Sequence, residues 1–185
     1  MKLFIVRHGE SVGNVLRIIQ GQKDYELTKK GFEQAEKIGL RLKDESFEAI
    51  YSSDLKRAAD TAKAISKQQK TKLILTEKLR ERNFGSFVDK QGSDLDWNNI
   101  PDDVETDESI KERILKVLNK VQKNHTGNVA LITHGGVVRG LINHFTQIPL
   151  NDIGRIRNTS LSIFELEDNN IKPIILNCTK HLNDE

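Results

Sequence analysis

The sequence lacks several features on which particular protein classes depend. It has a single cysteine, Cys178, among 185 residues, so an internal disulfide is excluded and a reducing compartment is expected. No apolar run approaches the roughly 20 residues of a membrane span. The run at residues 3–6 is also too short for a signal peptide, because Arg7 interrupts it. We therefore expect a cytoplasmic protein with no membrane partner.

The lone cysteine is not expected to be catalytic. A reactive thiol needs a helix start or basic residues around it, and the sequence near Cys178 indicates neither. A hydrophobic fraction of 36% over 185 residues is enough to bury a core without metal or disulfide support. The chain contains no repeat or linker, so we expect a single domain over residues 1–185.

The sequence also lacks a large excess of charge of either sign. The chain has 29 basic and 27 acidic residues, for a net charge of +2. Both signs alternate along the helical stretches, which indicates solvated faces and excludes a nucleic-acid-binding surface. Any affinity for anions must therefore come from a few placed residues.

The pattern of apolar residues predicts alternating strands and helices. Short apolar runs at residues 3–6, 49–51, 73–75 and 129–132 are typical of buried strands. Apolar residues three and four apart predict helices after Thr28, after Asp54 as an N-cap, over residues 110–121 and over residues 137–145. Residues 160–166 and 171–176 predict two more strands, joined by a turn at Asp168, Asn169 and Asn170.

This order of elements defines the expected fold class. An early β-α-β-α-β order implies an α/β protein with a mostly parallel central sheet. We expect helices on both faces of that sheet and a late antiparallel strand. The final hairpin is either an exposed edge or a dimer contact, and the sequence leaves the oligomeric state open.

Two histidines follow predicted strands in equivalent positions. The first strand leads to His8 and Gly9, and the fourth leads to His134 and Gly135, each before a helix start. Ligands of open α/β sheets bind at this edge, where helix N-termini offer free N–H groups to a phosphate. One such histidine would be taken for an ordinary loop residue. Two in the same setting favour a phosphate site over unrelated loop histidines.

The other histidines lack this context. We interpret His125 as a surface residue and His144 as a helix-packing residue.

Phosphate chemistry explains why arginines stand near these histidines. A neutral imidazole can attack phosphorus to give a phosphohistidine, while forked guanidinium donors match the charged phosphoryl oxygens. Arg7 is adjacent to His8, and Arg57 begins the helix after the second strand. Position alone also allows Arg57 to be a solvated helix residue. Of Arg57 and its neighbour Lys56, one should face the pocket and the other water.

Five blocks of residues together resemble a known family. The sequence is similar to the histidine phosphatase superfamily, and more closely to its small cofactor-independent phosphatases related to phosphoglycerate mutase. The resemblance runs from the first strand to the helix after His134, about three-quarters of the chain. Its blocks are Arg7 to Ser11 with Asn14, Leu27-Thr28 with Gly31 and Gln34-Ala35, Ser52 to Leu55 with Arg57-Ala58 and Thr61-Ala62, Leu79 with Glu81 and Phe84-Gly85, and Thr133 to Gly136.

The resemblance implies a role for each matching residue. It implies that His8 is the nucleophile that becomes phosphorylated. Gln20 and Gly21 match the loop that reaches toward the substrate. Neither a metal nor a cofactor is implied. The residues implied to hold the phosphoryl group are Arg7, Arg57, His134, Asn14 and, through its backbone N–H, Gly135.

The chemistry also requires a proton donor for the leaving group. Glu81 matches the position of the family's general acid, whose conjugate base can then activate water. As a surface carboxylate it would instead pair with Arg80 or Arg82. Glu10 and Glu108 are rival acids on sequence alone.

The sequence departs from the family between Ser86 and Asp107. This segment is shorter than the partly helical cover that the family has there, and its only cation is Lys90. We expect an open mouth that admits varied phosphoesters, with substrate choice made in this segment. Trp97 either caps the pocket or packs beneath the loop, and packing is the preferred interpretation.

These observations leave three functions to weigh. We expect a metal-independent phosphatase that hydrolyses phosphomonoesters through a phosphohistidine, acting on a phosphorylated small molecule or a phosphoprotein. The alternatives are a phosphoglycerate mutase-like phosphotransferase and a non-catalytic phospho-ligand binding module. The absence of a second cationic clamp favours hydrolysis over the mutase, and the complete set of catalytic positions disfavours the binding module.

Overall fold

A computed structural model describes residues 1–69, 71–167 and 170–182 of the chain. Six strands form one sheet in the order β3-β2-β4-β1-β5-β6. The strands are β1 (Lys2–Arg7), β2 (Phe47–Ser53), β3 (Leu73–Thr76), β4 (Asn128–Thr133), β5 (Leu161–Glu167) and β6 (Asn170–Cys178).

The directions of the strands confirm the predicted fold class. β1 and β3 run parallel to their neighbours β4 and β2, and β2 is parallel to β4. β5 is antiparallel to both β1 and β6, so it is the late antiparallel strand. Of the predicted turn, Asn170 begins β6, while Asp168 and Asn169 lie outside the described residues.

Helices cover both faces of the sheet, as predicted. Along β1, Leu3 and Ile5 pack into a core with α4 and α5, while Phe4 and Val6 pack into a second core with α2 and α3. This alternation follows from the two-residue period of a strand buried on both faces. The helices are α1 (Val12–Val15), α2 (Lys29–Arg41), α3 (Lys56–Gln69), α4 (Asp107–Asn124) and α5 (Gly135–Thr146).

The predicted N-cap of α3 is wrong. The Asp54 carboxylate instead binds the Arg80 guanidinium through two hydrogen bonds. Asp24, from a distant loop, accepts the Lys56 N–H at 2.7 Å at the start of the helix. A local pattern misses such a cap because its acceptor comes from another part of the chain.

The surroundings of Cys178 also differ from the sequence expectation. Both terminal nitrogens of Arg41 lie 3.4 Å from the Cys178 Sγ. Although burial raises the pKa of the thiol, hydrogen bonds from the Lys180 backbone and from Arg41 lower it below its ordinary value. The expectation that Cys178 has no basic residues around it was therefore wrong. Arg41 belongs to α2 and is far from Cys178 in the sequence, so the local pattern did not reveal it.

Among the residues that the structure describes, no helix is long and apolar enough to cross a membrane.

A matched pair of glycine substitutions tests the packing of the helices. A Cβ added at Gly31 in α2 would lie 2.0 Å from the Glu10 carbonyl oxygen, whereas one added at Gly140 in α5 would meet nothing within 4 Å. We expect Gly31→Ala to lower the free energy of unfolding by about 1–3 kcal/mol. Gly140→Ala should raise it by about 0.5–1 kcal/mol through helix propensity. Urea unfolding measures both, and equal stability of the two variants would contradict the close approach at Gly31.

Candidate active site

The pairing of β1 with β4 brings the two histidines together. Arg7 and Thr133 are the last paired residues of the two parallel strands, and a histidine follows each of them. The ring centroids of His8 and His134 lie 5.2 Å apart. The two side chains are buried, with 2% and 0% of their surface exposed.

Hydrogen bonds fix both the backbone and the tautomer of His8. Its N–H donates to the Thr133 carbonyl at 2.9 Å, and its carbonyl accepts from the Thr159 N–H at 3.2 Å. The ring Nδ1 lies 2.6 Å from the Gly9 carbonyl oxygen. A carbonyl oxygen only accepts, so in the neutral ring Nδ1 carries the proton and Nε2 keeps its lone pair. This arrangement leaves Nε2 as the ring atom that is free to act as a base or a nucleophile.

The environment keeps both imidazoles uncharged. Burial lowers the pKa of His8 well below its ordinary value, and the charges of Arg7 and Arg57 lower it further. Burial acts in the same way on the pKa of His134, followed by the charge of Arg57. Both rings are therefore neutral at pH 7.

Two buried arginines surround the histidines. Arg57 is 1% exposed, and its terminal nitrogens donate to the backbone carbonyls of Gly21 at 2.7 Å and Lys23 at 2.8 Å. Arg7 donates from Nη1 to the Ile156 carbonyl at 2.6 Å. Burial lowers the pKa of Arg7 to about 10, so it remains charged near neutral pH. Backbone carbonyls thus orient each guanidinium without neutralising it.

The unpartnered polar atoms of the described residues cluster at this place. Four buried side-chain nitrogens and oxygens have no hydrogen-bond partner, and three of them are Arg7 Nε, Arg57 Nε and His134 Nδ1. The fourth is Ser160 Oγ. An unsatisfied buried polar atom costs about 1–3 kcal/mol. Three such atoms around one histidine indicate a site built for a ligand with several acceptor oxygens.

Asn14 is oriented by a residue that the sequence analysis missed. Its Oδ1 accepts from the Ser11 N–H at 3.1 Å and from Asn158 Nδ2 at 3.0 Å, which leaves the Asn14 amide nitrogen as its donor. Asn158 Nδ2 also lies 3.1 Å from the His8 carbonyl. Asn158 is 150 residues from His8 in the chain and belongs to no motif, so no local signal could identify it.

The glycines predicted to face the substrate lie in tight contacts. Gly21 has a φ of +51°, and an added Cβ would lie 3.0 Å from Val88. Gly21 and Gln20 line the same cavity as His8. Gly135 packs on Arg7, where an added Cβ would lie 3.4 Å from Nε. Glycine thus allows the loop at Gly21 to approach Val88 and the start of α5 to approach Arg7.

The three candidate acids occupy different places. Glu81 lines the cavity with His8, and its Oε2 accepts the Gly136 N–H at 3.0 Å, at the start of α5. Glu10 instead accepts from the Thr28 hydroxyl at 2.8 Å and lines a separate polar cleft. Glu108 is exposed in the first turn of α4. Among these three, the geometry brings Glu81 alone into the cavity with His8.

Arg57 and Lys56 face different surroundings, as the sequence predicted. Arg57 lines the cavity, whereas the Lys56 ammonium contacts Glu26 with half of its side chain exposed.

The cavity has a volume of about 810 Å³, and the residues that line it are not the ones expected to contact the substrate's organic part. Substrate choice was expected in the segment from Ser86 to Asp107, but of that segment Asp107 alone lines the cavity. Trp97 packs on Phe87 and Phe84, with ring centroids 5.6 and 6.3 Å apart, so it does not cap the site. The segment folds back on its own aromatic cluster, and α4 and α5 supply the outer walls.

Comparison with known proteins agrees with this arrangement. The model of the histidine phosphatase superfamily (branch 1) matches residues 3–179. The metal-independent phosphoserine phosphatase of Arabidopsis thaliana is 34% identical over 185 residues, covering 90% of this chain and 77% of that protein.

Solved structures show the same fold. YhfR of Bacillus stearothermophilus has a TM-score of 0.90 and 27% identity, over 97% of this chain and 98% of that one. A phosphoserine phosphatase mutant from Entamoeba histolytica, in complex with phosphoserine, has a TM-score of 0.84 and 25% identity, over 98% of both chains.

The chain therefore belongs to the histidine phosphatase superfamily. Within it, the chain is an enzyme that hydrolyses phosphoric monoesters through a phosphohistidine, which is the mechanism general to that family.

The burial of the histidines predicts a specific dependence of stability on pH. A histidine with a folded pKa far below its unfolded value near 6.5 contributes stability above that value, which is lost as the pH falls. Between pH 7.5 and 5.5 the loss is about 1.4 kcal/mol per histidine. We expect His8→Gln to reduce the wild-type loss by about this amount, measured by urea unfolding at both pH values. The exposed His144→Gln is the control, and an equal reduction there would contradict the assignment.

Proposed function

We propose that His8, Arg7, Arg57, His134, Asn14 and Glu81 form the catalytic site of a phosphatase acting on small phosphomonoesters. The observation that carries this proposal is the set of three unpartnered buried nitrogens, Arg7 Nε, Arg57 Nε and His134 Nδ1, in residues next to one neutral imidazole. The two guanidinium N–H groups can donate to the charged oxygens of a phosphoryl group. His134 Nδ1 can do the same when Nε2 accepts from the Ser53 hydroxyl.

In the first step, His8 Nε2 attacks phosphorus while the bond to the ester oxygen breaks. The leaving oxygen takes the proton of the Glu81 carboxyl group, and the product alcohol departs. The phosphorylated ring carries a positive charge, which the hydrogen bond from Nδ1 to the Gly9 carbonyl stabilises.

In the second step, water attacks the phosphohistidine. The Glu81 carboxylate takes a proton from the water, the bond between Nε2 and phosphorus breaks, and inorganic phosphate leaves. Glu81 is again protonated and His8 is again neutral. The hydrogen bond from the Gly136 N–H holds the carboxylate in place for both steps.

The arginines and His134 stabilise the transferring group in both steps. Arg7, Arg57 and Asn14 all line the cavity and carry N–H donors, and Gly135 packs on Arg7 at the start of α5. These charges do the work that a divalent cation does in other phosphatases, so we propose that no metal is required. The name of the metal-independent phosphoserine phosphatase relative supports both a metal-free reaction and a small phosphorylated substrate.

Removal of the nucleophile should abolish turnover. We expect His8→Ala to reduce kcat for p-nitrophenyl phosphate by at least about a thousandfold, because the group that forms the bond to phosphorus is removed. Wild-type activity should survive excess EDTA. Quenching in SDS at alkaline pH, where the bond between phosphorus and the imidazole nitrogen is stable, should trap labelled phosphohistidine in the wild type and none in His8→Ala. The control is His125→Ala, outside the cavity, and loss of wild-type activity in EDTA would contradict the metal-free mechanism.

Substrates with different leaving groups test the role of Glu81. A general acid matters most when the leaving alkoxide is a strong base, so Glu81→Gln should lower kcat/KM for ethyl phosphate by about 10²–10⁴-fold. The loss for p-nitrophenyl phosphate, whose leaving group is stable as an anion, should be much smaller. Glu10→Gln is the matched control. Equal losses on both esters would assign Glu81 to binding and not to proton transfer.

A further inference from the structure

The main cavity extends past His8 into a groove between α4 and α5. Four apolar residues of α4 line this groove. Ile114 and Leu118 are buried, and Ile110 and Leu115 are half-buried. They recur three and four apart, so they share one face of the helix. Two exposed charged residues of α4, Asp107 and Lys111, also line the cavity.

The opposite wall, on α5, carries a row of small and polar residues. Gly136, Gly140, Asn143 and Gln147 follow one another at three- and four-residue steps and all line the cavity. They span about 16 Å of helix at 1.5 Å per residue. A Cβ added at Gly140 would meet nothing within 4 Å, so the wall is recessed there. The other residues of α5 that line the cavity are Val137, Arg139, Leu141 and His144.

This groove begins at the proposed proton donor. Glu81 accepts the Gly136 N–H, and Gly140 lies one helical turn further along, about 6 Å away. Arg113 of α4 donates to the carbonyls of Arg80 at 2.7 Å and Glu81 at 3.1 Å. Both walls are thus held by hydrogen bonds to the segment that carries the acid.

We propose that the alcohol part of the substrate lies in this groove, against the apolar face of α4. The preferred substrates are then phosphomonoesters of alcohols with an extended apolar body. This assignment rests on the proposed two-step hydrolysis, because the groove receives the group that Glu81 protonates. The cavity of about 810 Å³ falls within the roughly 300–1,000 Å³ of pockets that hold drug-sized ligands, and a leaving group the size of serine would leave the α4 face uncovered.

The test compares ethyl phosphate with n-octyl phosphate, used below its micelle concentration. Both leaving groups are primary alkoxides, so the chemistry of the step is matched. Each buried methylene contributes up to about fourfold in affinity, and we expect kcat/KM for octyl phosphate to exceed that for ethyl phosphate at least tenfold.

Two variants on opposite walls locate the effect. Gly140→Leu fills the recess on α5 and should lower the octyl-to-ethyl ratio at least tenfold. Leu115→Gln replaces an apolar contact on α4 and should lower it in the same direction. Gly154→Leu is the matched control, because a Cβ there also meets nothing within 4 Å and Gly154 does not line the cavity. Its ratio should equal that of the wild type.

The outcomes separate the two proposals. Hydrolysis of ethyl phosphate with no preference for octyl phosphate, or a ratio unchanged in both Gly140→Leu and Leu115→Gln, overturns the groove assignment and leaves the hydrolysis standing. A phosphoserine peptide hydrolysed faster than octyl phosphate also overturns it. If the folded wild type cleaves neither alkyl ester nor p-nitrophenyl phosphate, the proposed hydrolysis fails, and the groove assignment fails with it.

Discussion

The parallel pairing of β1 with β4 is the constraint on which the site depends. The register that places Arg7 opposite Thr133 brings His8 and His134 into ring contact, since each histidine directly follows its strand. A shift of this register by one residue would turn every side chain of the strand to the other face. The two cores on either side of β1 and β4 prevent such a shift, because each strand is buried on both faces.

The same burial sets the electrostatics of the site. Two arginines and two histidines are buried together. Burial and the positive charges of the arginines both disfavour protonation of the imidazoles, so the rings stay neutral. The arginines are held by carbonyl oxygens of Gly21, Lys23 and Ile156, so their positive charge stays available. Burial lowers the pKa of both arginines, and the charge of Glu81 opposes that shift without a direct hydrogen bond to either guanidinium among the described contacts. The arrangement is typical of a site in which stability is exchanged for function.

The walls of the cavity come from a different part of the molecule than the segment in which the sequence placed substrate selection. The short segment after Phe84 packs on its own aromatic residues, with Trp97 against Phe87. This leaves the mouth of the cavity to α4 and α5, which belong to the same layer on one face of the sheet. Glu81 connects the proposed catalytic site to the groove, because its carboxylate accepts from α5 and its backbone carbonyl accepts from Arg113 of α4.

Much of the fold and of the phosphate site followed from the sequence alone. The fold class follows from the order of short apolar runs, which predict strands, and of apolar residues three and four apart, which predict helices. Both patterns are local properties of the sequence. The strand-end histidines were also visible locally, and the match of five blocks to a family added Arg57, Asn14 and Glu81 to them. Tertiary structure decided what depends on distant partners. The pairing of Asn158 with Asn14 and His8, the capping of α3 by Asp24, the contact of Arg41 with Cys178 and the groove between two helices all join residues far apart in the chain. No local pattern encodes such contacts, because their energy depends on the packing of the whole sheet and its helices.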